Sequence, residues 1–379
     1  MSFRLGRLLG IPVDVDLSWI VIFALFAYSI GVGYFSRFFP GLATGENLFL
    51  GMIAAALFFA TLLAHELAHS YVARKSGIPI AGITLFIFGG VARMKAEPGT
   101  PADEFRMAIA GPVTSFAAAA AFGILGGIAG RGTVIGAVLL YVALANLLVA
   151  GFNLLPGFPL DGGRVLRALL WHVTGNLRRA TRISSWTGQA LGWMMIIGGV
   201  MEFVSRNTLG GVWLVFLGWF LNTAAQTAYQ QLLMRRAFEG LTVVDVMTPG
   251  VESVSPETTV EELVQNHFLR THADAYPVLR GDSFLGIVRL EEVRGVPRAD
   301  WPRVQVARIA RPVEASFVAR VNEPAWDVLG RMAEMAHGTV FVLEGNRLAG
   351  SVRQEYLATL LKLRMGAEES RGRGVMSDQ

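Results

Sequence analysis

Apolar runs long enough to cross a lipid bilayer constrain this chain more than any other feature. About 20 consecutive apolar residues let a helix span the hydrocarbon core. Six windows meet that measure, at roughly 17–35, 48–73, 104–128, 134–155, 185–204 and 209–229. Lipid offers no partners for backbone polar groups, so each window is expected to be helical. From about residue 235 onward charge is ordinary in density, as in a water-soluble half. Over the whole chain only 16% of residues are charged, against about 25% in a soluble domain. Cysteine is absent, which excludes disulfides and thiolate metal sites. No short apolar run followed by small residues marks a removable signal.

Six spans place both termini on one side. With the N-terminus inside, the inner segments collect Arg4, Arg7, Arg74, Lys75, Arg178, Arg179, Arg182, Arg235 and Arg236, among others, while the outer loops hold Arg37, Arg131 and Arg206. The positive-inside rule then puts both termini in the cytoplasm, as in a multi-pass protein of a prokaryotic plasma membrane. One inner segment, "GIPIAGITLFIFGGVARMKAEP" from Gly77 to Pro98, is apolar, rich in β-branched residues and interrupted at Gly89 and Gly90. It is too short for two spans and predicts an extended or re-entrant β-hairpin. Such backbone at membrane depth must be buried in protein or line a wet cavity. The alternative is an interfacial loop.

Inside the second span lies "LFFATLLAHELAHSYVARK". Ionisable groups in such a run are expensive and need a reason. His65 and His69 are spaced i, i+4 and face one way on a helix. Both can bind one zinc ion at about 2 Å, with Glu66 placed as general base, which is the H-E-x-x-H arrangement. His69 lies five residues before Arg74. At about 1.5 Å per residue, the site falls on the order of 10 Å from the cytoplasmic boundary.

A catalytic zinc takes three protein ligands and keeps one open position. His172, His267, His272 and His337 fall in polar or soluble segments and read as surface residues. The better third candidate is Asp161 in "NLLPGFPLDGGRVLRALL", where Pro156 and Pro159 break the fourth span. Gly162 and Gly163 are expected to leave room around it. The other reading of Asp161 is a helix N-cap.

"HELAH" in a membrane span, followed by "NLLPGFPLDGGR" about ninety residues on, resembles the site-2 protease family of intramembrane zinc metalloproteases. The likeness covers about residues 1–230. It implies one zinc per chain on His65, His69 and Asp161, with Glu66 as the catalytic glutamate. "FGGVARM" also resembles a family segment, so Gly89 and Gly90 are expected to bind substrate together with Asn153. The substrate implied is a membrane protein with a locally unwound transmembrane segment. The stretch Ile83–Arg93 is the candidate strand edge to hold it. Spans five and six are a candidate gate, with Gly188, Gly192, Gly198 and Gly199 permitting close, slippable packing.

Residues 241–363 hold an internal repeat. "YPVLRGDSFLGIVRLEEV" at 276–293 parallels "VFVLEGNRLAGSVRQEYL" at 340–357, an offset of 64 residues. The units, about 241–300 and 304–363, resemble a tandem pair of CBS domains, the module of the family's compact branch. Such pairs commonly bind adenosine nucleotides and pair into homodimers. Members that bind nucleotide carry a hydroxyl residue and then an Asp after the glycine of the last strand. This chain has Arg289 and Glu292, then Arg353 and Tyr356. Arginines can pair with phosphate, so Arg289, Glu292 and Arg353 are the candidates for an adenine nucleotide. The alternative is a dimerising module without ligand.

The expected architecture is therefore a polytopic α-helical membrane protein of six transmembrane helices with a re-entrant β-hairpin, residues 1–230. A linker follows at 231–240, then a cytoplasmic α/β tandem CBS module at 241–363 and a disordered tail at 364–379. The expected activity is intramembrane zinc endopeptidase, with no nucleic-acid partner. A transporter or channel gated by CBS domains is the competing class, but it has no use for Glu66 between two i, i+4 histidines.

Overall fold

The computed structural model describes residues 2–87, 89–94, 96–206, 209–271, 273–312, 317–335, 338–357 and 359–360. His272, His337 and the tail expected over 364–379 lie outside the described residues. The chain divides into two compact units, Met1–Gln230 and Gln231–Gln379.

The first unit begins with a feature the sequence reading passed over. Strands β1 (Ser2–Leu8) and β2 (Ile11–Asp16) form an antiparallel hairpin. Asp16 then caps helix α1 (Leu17–Ser29), accepting from the Ser18 amide at 3.0 Å. A π-helical stretch, Ile30–Phe35, and a short helix α2 (Ser36–Phe38) complete this span. Helix α3 (Thr44–Lys75) has 32 residues, about 48 Å at 1.5 Å per residue. Strands β3 (Ile80–Phe86) and β4 (Gly89–Met94) form the hairpin expected between Gly77 and Pro98. Helix α4 (Pro101–Ala129) starts on a Thr100 cap with Pro101 in its first turn, and helix α5 (Val134–Asn153) on a Thr133 cap. Helices α6 (Asp161–Thr174), α7 (Leu177–Arg206) and α8 (Leu209–Ala237) follow.

The two hairpins join into one sheet of order β1-β2-β3-β4, through parallel pairing of Val13 with Ile83 and Val15 with Leu85. The expectation for Ile83–Arg93 is thereby narrowed to its second half: β3, which carries Ile83, is paired on both sides, and among the described residues β4, which carries Arg93, stands at the sheet edge. Alternation in "IPVDVD", with Ile11, Val13 and Val15 buried, was the signal for β2.

Among the described residues four helical segments are long and apolar enough to cross a membrane, Leu17–Phe38, Thr44–Lys75, Pro101–Ala129 and Val134–Asn153. α7 and α8 are long enough, at 30 and 29 residues, but less apolar. Both helices carry charged and amide residues along their length, and between them they bury Thr181, Ser184, Ser185 and Asn222. Asn222 donates to the Gln189 carbonyl at 3.4 Å and Ser185 donates to the Ala225 carbonyl. Of the glycines expected to ease packing here, Gly192 and Gly199 do face α8. A Cβ on either would stand 2.7 Å from the carbonyl oxygens of Gly218 and Gly211 respectively. Gly188 packs instead on Phe158, and Gly198 has ordinary space around it.

In the second unit, β6 (Ala275–Arg280) and β7 (Ser283–Arg289) form one hairpin, after the short elements α9 (Val243–Val246), β5 (Thr248–Pro249) and α10 (Val260–Leu263). After α11 (Leu290–Arg294), α12 (Val306–Ile309), β8 (Val318–Arg320) and α13 (Ala325–Met335), strands β9 (Thr339–Glu344) and β10 (Arg347–Arg353) form the other hairpin. The hairpins are offset by the 64 residues of the repeat. Each repeat lends its opening segment to the other. Val243 and Val246 pack with Val340, Val342 and Val352, and β5 pairs with β10. Val306 packs with Tyr276, Val278 and Val288.

Candidate metal centre

His65, Glu66 and His69 occupy the inner half of α3, where one helical turn sets both imidazoles on one face. The break after α5 returns the chain so that α6 begins at Asp161, its first helical residue, beside them. Asp161 does not serve as the N-cap, which is Leu160. His65 Nε2 lies 3.1 Å from Asp161 Oδ2, His69 Nε2 lies 3.2 Å from the same oxygen, and the two nitrogens are 3.1 Å apart. Three donors around one tetrahedral zinc at about 2.0–2.1 Å stand about 3.3 Å from one another. These residues fit such an ion.

The far side of each ring argues for a cation. His69 Nδ1 is 2.6 Å from the Met107 carbonyl oxygen. A carbonyl only accepts, so Nδ1 carries the proton and the neutral ring offers a lone pair at Nε2. His65 Nδ1 is held 2.9 Å from Ser115 Oγ, which leaves its Nε2 for the centre. Lone pairs from two imidazoles and a carboxylate converging at this distance repel unless positive charge lies among them. Partners on the outer ring nitrogens are what orient histidine ligands in metal sites.

Met107 and Ser115 both belong to α4, which sequence reasoning did not connect with the centre. Gly111 lies between them. A Cβ there would stand 2.5 Å from His65 Nε2 and closer still to His69 Nε2. The signal in the sequence was a serine and a Gly-Pro break, Gly111–Pro112, inside an apolar span.

Glu66 is half-buried and makes no hydrogen bond or ion pair among the described residues. It faces the free-edged strand: a Cβ on Gly90 would collide with Glu66 Cγ and stand 3.1 Å from Cδ. Gly89, at φ +122, adopts a conformation that side chains rarely take, and turns the hairpin beside Leu62. Asn153 is the last residue of α5, half-buried, its amide unbonded among the described residues. Gly162 and Gly163 make room chiefly for backbone rather than for the carboxylate. A Cβ on either would collide with the segment Leu154–Phe158.

In the second unit, Arg289 and Glu292 are brought together, but with each other. Arg289 Nη2 donates to Glu292 Oε1 at 2.6 Å and the Arg289 amide to Oε2 at 3.0 Å, so Glu292 caps the start of α11 from within its first turn. Burial pushes the Glu292 carboxyl up, but the Arg289 hydrogen bonds and charge outweigh it and hold the group below its ordinary value. Arg353 ends β10 and is exposed. His172 is exposed, and His267 pairs with Glu252 at 2.7 Å. Among the described residues the group able to hold a metal is His65, His69 and Asp161.

A family model described as Peptidase family M50 matches residues 53–132 and 129–195, and a CBS domain model matches 243–298. The chain is 37% identical over 369 residues to a Mycobacterium tuberculosis protein assigned as zinc metalloprotease Rip3, covering 95% of this chain and 93% of the relative. It is 33% identical over 329 residues to a Synechocystis protein assigned as zinc metalloprotease sll0528, covering 86% of each. Among solved structures, the site-2 protease from Methanocaldococcus jannaschii is 30% identical, with a TM-score of 0.44, and the match covers 60% of this chain and 95% of that one.

Proposed function

Because the chain belongs to peptidase family M50, the site-2 protease family, we infer that it is an intramembrane zinc endopeptidase in which His65, His69 and Asp161 hold the metal and Glu66 is the general base. The observation that carries this residue assignment is the convergence of His65 Nε2, His69 Nε2 and Asp161 Oδ2 within 3.2 Å of one another, with both outer histidine nitrogens committed elsewhere. When bound, zinc supplies a Lewis acid that polarises the scissile carbonyl and makes water acidic enough to lose a proton near neutral pH. Glu66 accepts that proton and returns it to the leaving nitrogen. Asn153, at the end of α5, is the residue assigned to donate to the substrate backbone. The Met107 carbonyl holds His69 in the ligating tautomer, and Ser115 orients the His65 ring.

The substrate is a membrane segment that has unwound, since an intact helix shields its own peptide carbonyls. The free edge of β4 receives it by backbone pairing. Gly90 brings that edge against Glu66 without an intervening side chain, so the paired stretch lies beside the general base.

Six spans, with α7 and α8 as the fifth and sixth, are the topology we favour. Ser185 of α7 and Asn222 of α8 each donate to a carbonyl of the partner helix, as polar groups in lipid do. Trp193, Ile197, Trp213 and Trp219 point outward. The hairpin of β3 and β4 is then re-entrant and residues 1–230 form the protease domain. Both termini are cytoplasmic. The chain has no native cysteine, so single cysteines report cleanly. Arg37→Cys, Arg131→Cys and Arg206→Cys label from outside intact cells, and Glu257→Cys labels only after the membrane is opened. Outside labelling at Glu257→Cys would reverse the orientation.

Beyond the connection at 231–240, of which α8 occupies the part up to Ala237, the two repeats of 241–363 form a cytoplasmic regulatory or dimerising pair. An adenine nucleotide is the ligand proposed for it, with Arg353 the phosphate partner, since Arg289 is engaged by Glu292. ATP titrated into the full-length protein binds in the millimolar range or tighter, and Arg353→Ala weakens it about tenfold, the loss of one charge-assisted pair. No binding at millimolar ATP, ADP or AMP would leave a dimerisation module.

A further inference from the structure

The centre is assembled from helices that share no local sequence. α4 braces both histidines through Met107, Gly111 and Ser115, while α6 brings Asp161. A slide of α6 along α4 by about one residue rise, ~1.5 Å, would take Asp161 Oδ2 out of reach of one imidazole. The buried face of α6 consists of Gly162, Gly163, Arg167 and Ala168. Glycine and alanine allow backbones to approach closely but give no grip along the axis. Arg167 is the exception. It is 5% exposed, its Nε donates to Glu104 Oε1 at 2.5 Å, and Nη2 reaches the same oxygen. Its guanidinium also lies over the Phe158 ring, 5.1 Å from the centroid. Glu104 is fully buried on α4, one turn before Met107, and its Oε2 has no hydrogen-bond partner. Phe158 sits in the segment that leads into Asp161. One guanidinium thus engages the helix that braces the histidines, the approach to the third ligand, and the helix that carries it.

We propose that the buried Glu104–Arg167 pair is a positioning device for the metal centre, setting the register of α6 on α4 so that Asp161 closes the ligand set with His65 and His69. The proposal rests on the zinc reading above. Buried ion pairs contribute little net stability against apolar replacements, and their attested use is to fix register. Removing Arg167 strands the fully buried Glu104 carboxylate, and removing Glu104 leaves Arg167 only the looser Glu97, 3.8 Å from Nη1 and partly exposed, so α6 must shift to relieve either loss.

The test is zinc affinity, measured on the purified full-length protein by competition with a chelator of known affinity. Arg167→Gln and Glu104→Gln are each made alone and in an Asp161→Ala background. Each single substitution weakens zinc by about 10–100-fold, the range for groups that orient ligands. In the Asp161→Ala background, where zinc is held by the histidines alone, neither weakens it further. An unchanged affinity in the single variants, with only a lowered thermal midpoint, would reduce the pair to a stabilising contact and overturn the proposal. So would equal weakening in both backgrounds. A wild-type protein that takes up no zinc fails the underlying metal reading instead. If the Gln variants do not fold, Arg167→Lys and Glu104→Asp, which keep charge but lose the fork geometry, are judged by the same criterion.

Discussion

Glu66→Gln retains about one zinc per chain and loses cleavage of a membrane substrate by about 10²–10⁴-fold. The retained metal follows from geometry, because Glu66 contributes no atom to the triad of His65 Nε2, His69 Nε2 and Asp161 Oδ2. The lost rate is that of a general base removed from a proton transfer. Glutamine preserves shape and the packing of Cγ against Gly90, so the substitution isolates proton acceptance. His65→Ala loses both metal and cleavage, since it removes a ligand and the link to Ser115. Metal content is read by elemental analysis and cleavage on a reconstituted transmembrane segment. Full activity in Glu66→Gln would sink the mechanism.

Gly111→Ala abolishes cleavage and weakens zinc by at least about tenfold, although it adds one methyl group to a helix that would otherwise welcome it. The new Cβ would stand 2.5 Å from His65 Nε2 and nearer to His69 Nε2. Those are the two lone pairs offered to the metal. The rings cannot turn away without giving up Met107 and Ser115. α4 cannot retreat freely, because the contacts that brace the rings come from the same turns. Gly127→Ala on the same helix, with nothing within 4 Å of the added Cβ, is the control and changes neither property. Normal zinc binding in Gly111→Ala would mean that α4 stands off from the centre.

Glu292 illustrates how a correct motif reading can still mislead about a residue's use. Arg289 and Glu292 occupy the positions where nucleotide-binding repeats keep a hydroxyl and a carboxylate, and their charges invite a phosphate and a ribose. Arg289, however, folds back over Glu292 and against Phe317, 5.5 Å from its ring centroid. An i, i+3 pair at a helix start is satisfied locally, and nothing in residue identity says whether the cation will face a ligand or its own neighbour.

Local periodicity carried what the sequence by itself determined. The apolar windows define the helices because lipid leaves a backbone no other way to satisfy its polar groups. The spacing of His65 and His69 puts two imidazoles on one face because 3.6 residues make a turn. The prolines before Asp161 announce a break because proline cannot continue the hydrogen-bond ladder, and the 64-residue repeat is visible because both hairpins reuse the same alternation. Tertiary structure decided the rest. Val13 pairs with Ile83 only because α1 and α3 return the chain to the same edge. Gly111 and Ser115 meet His65 and His69 only because α4 packs on α3, and Arg167 meets Glu104 across 63 residues of chain. The opening segments of the two repeats trade places because each core needs an apolar segment that its own half does not supply in register. Such contacts depend on which faces meet, and a face is chosen by close packing of whole elements rather than by the pattern along any one of them.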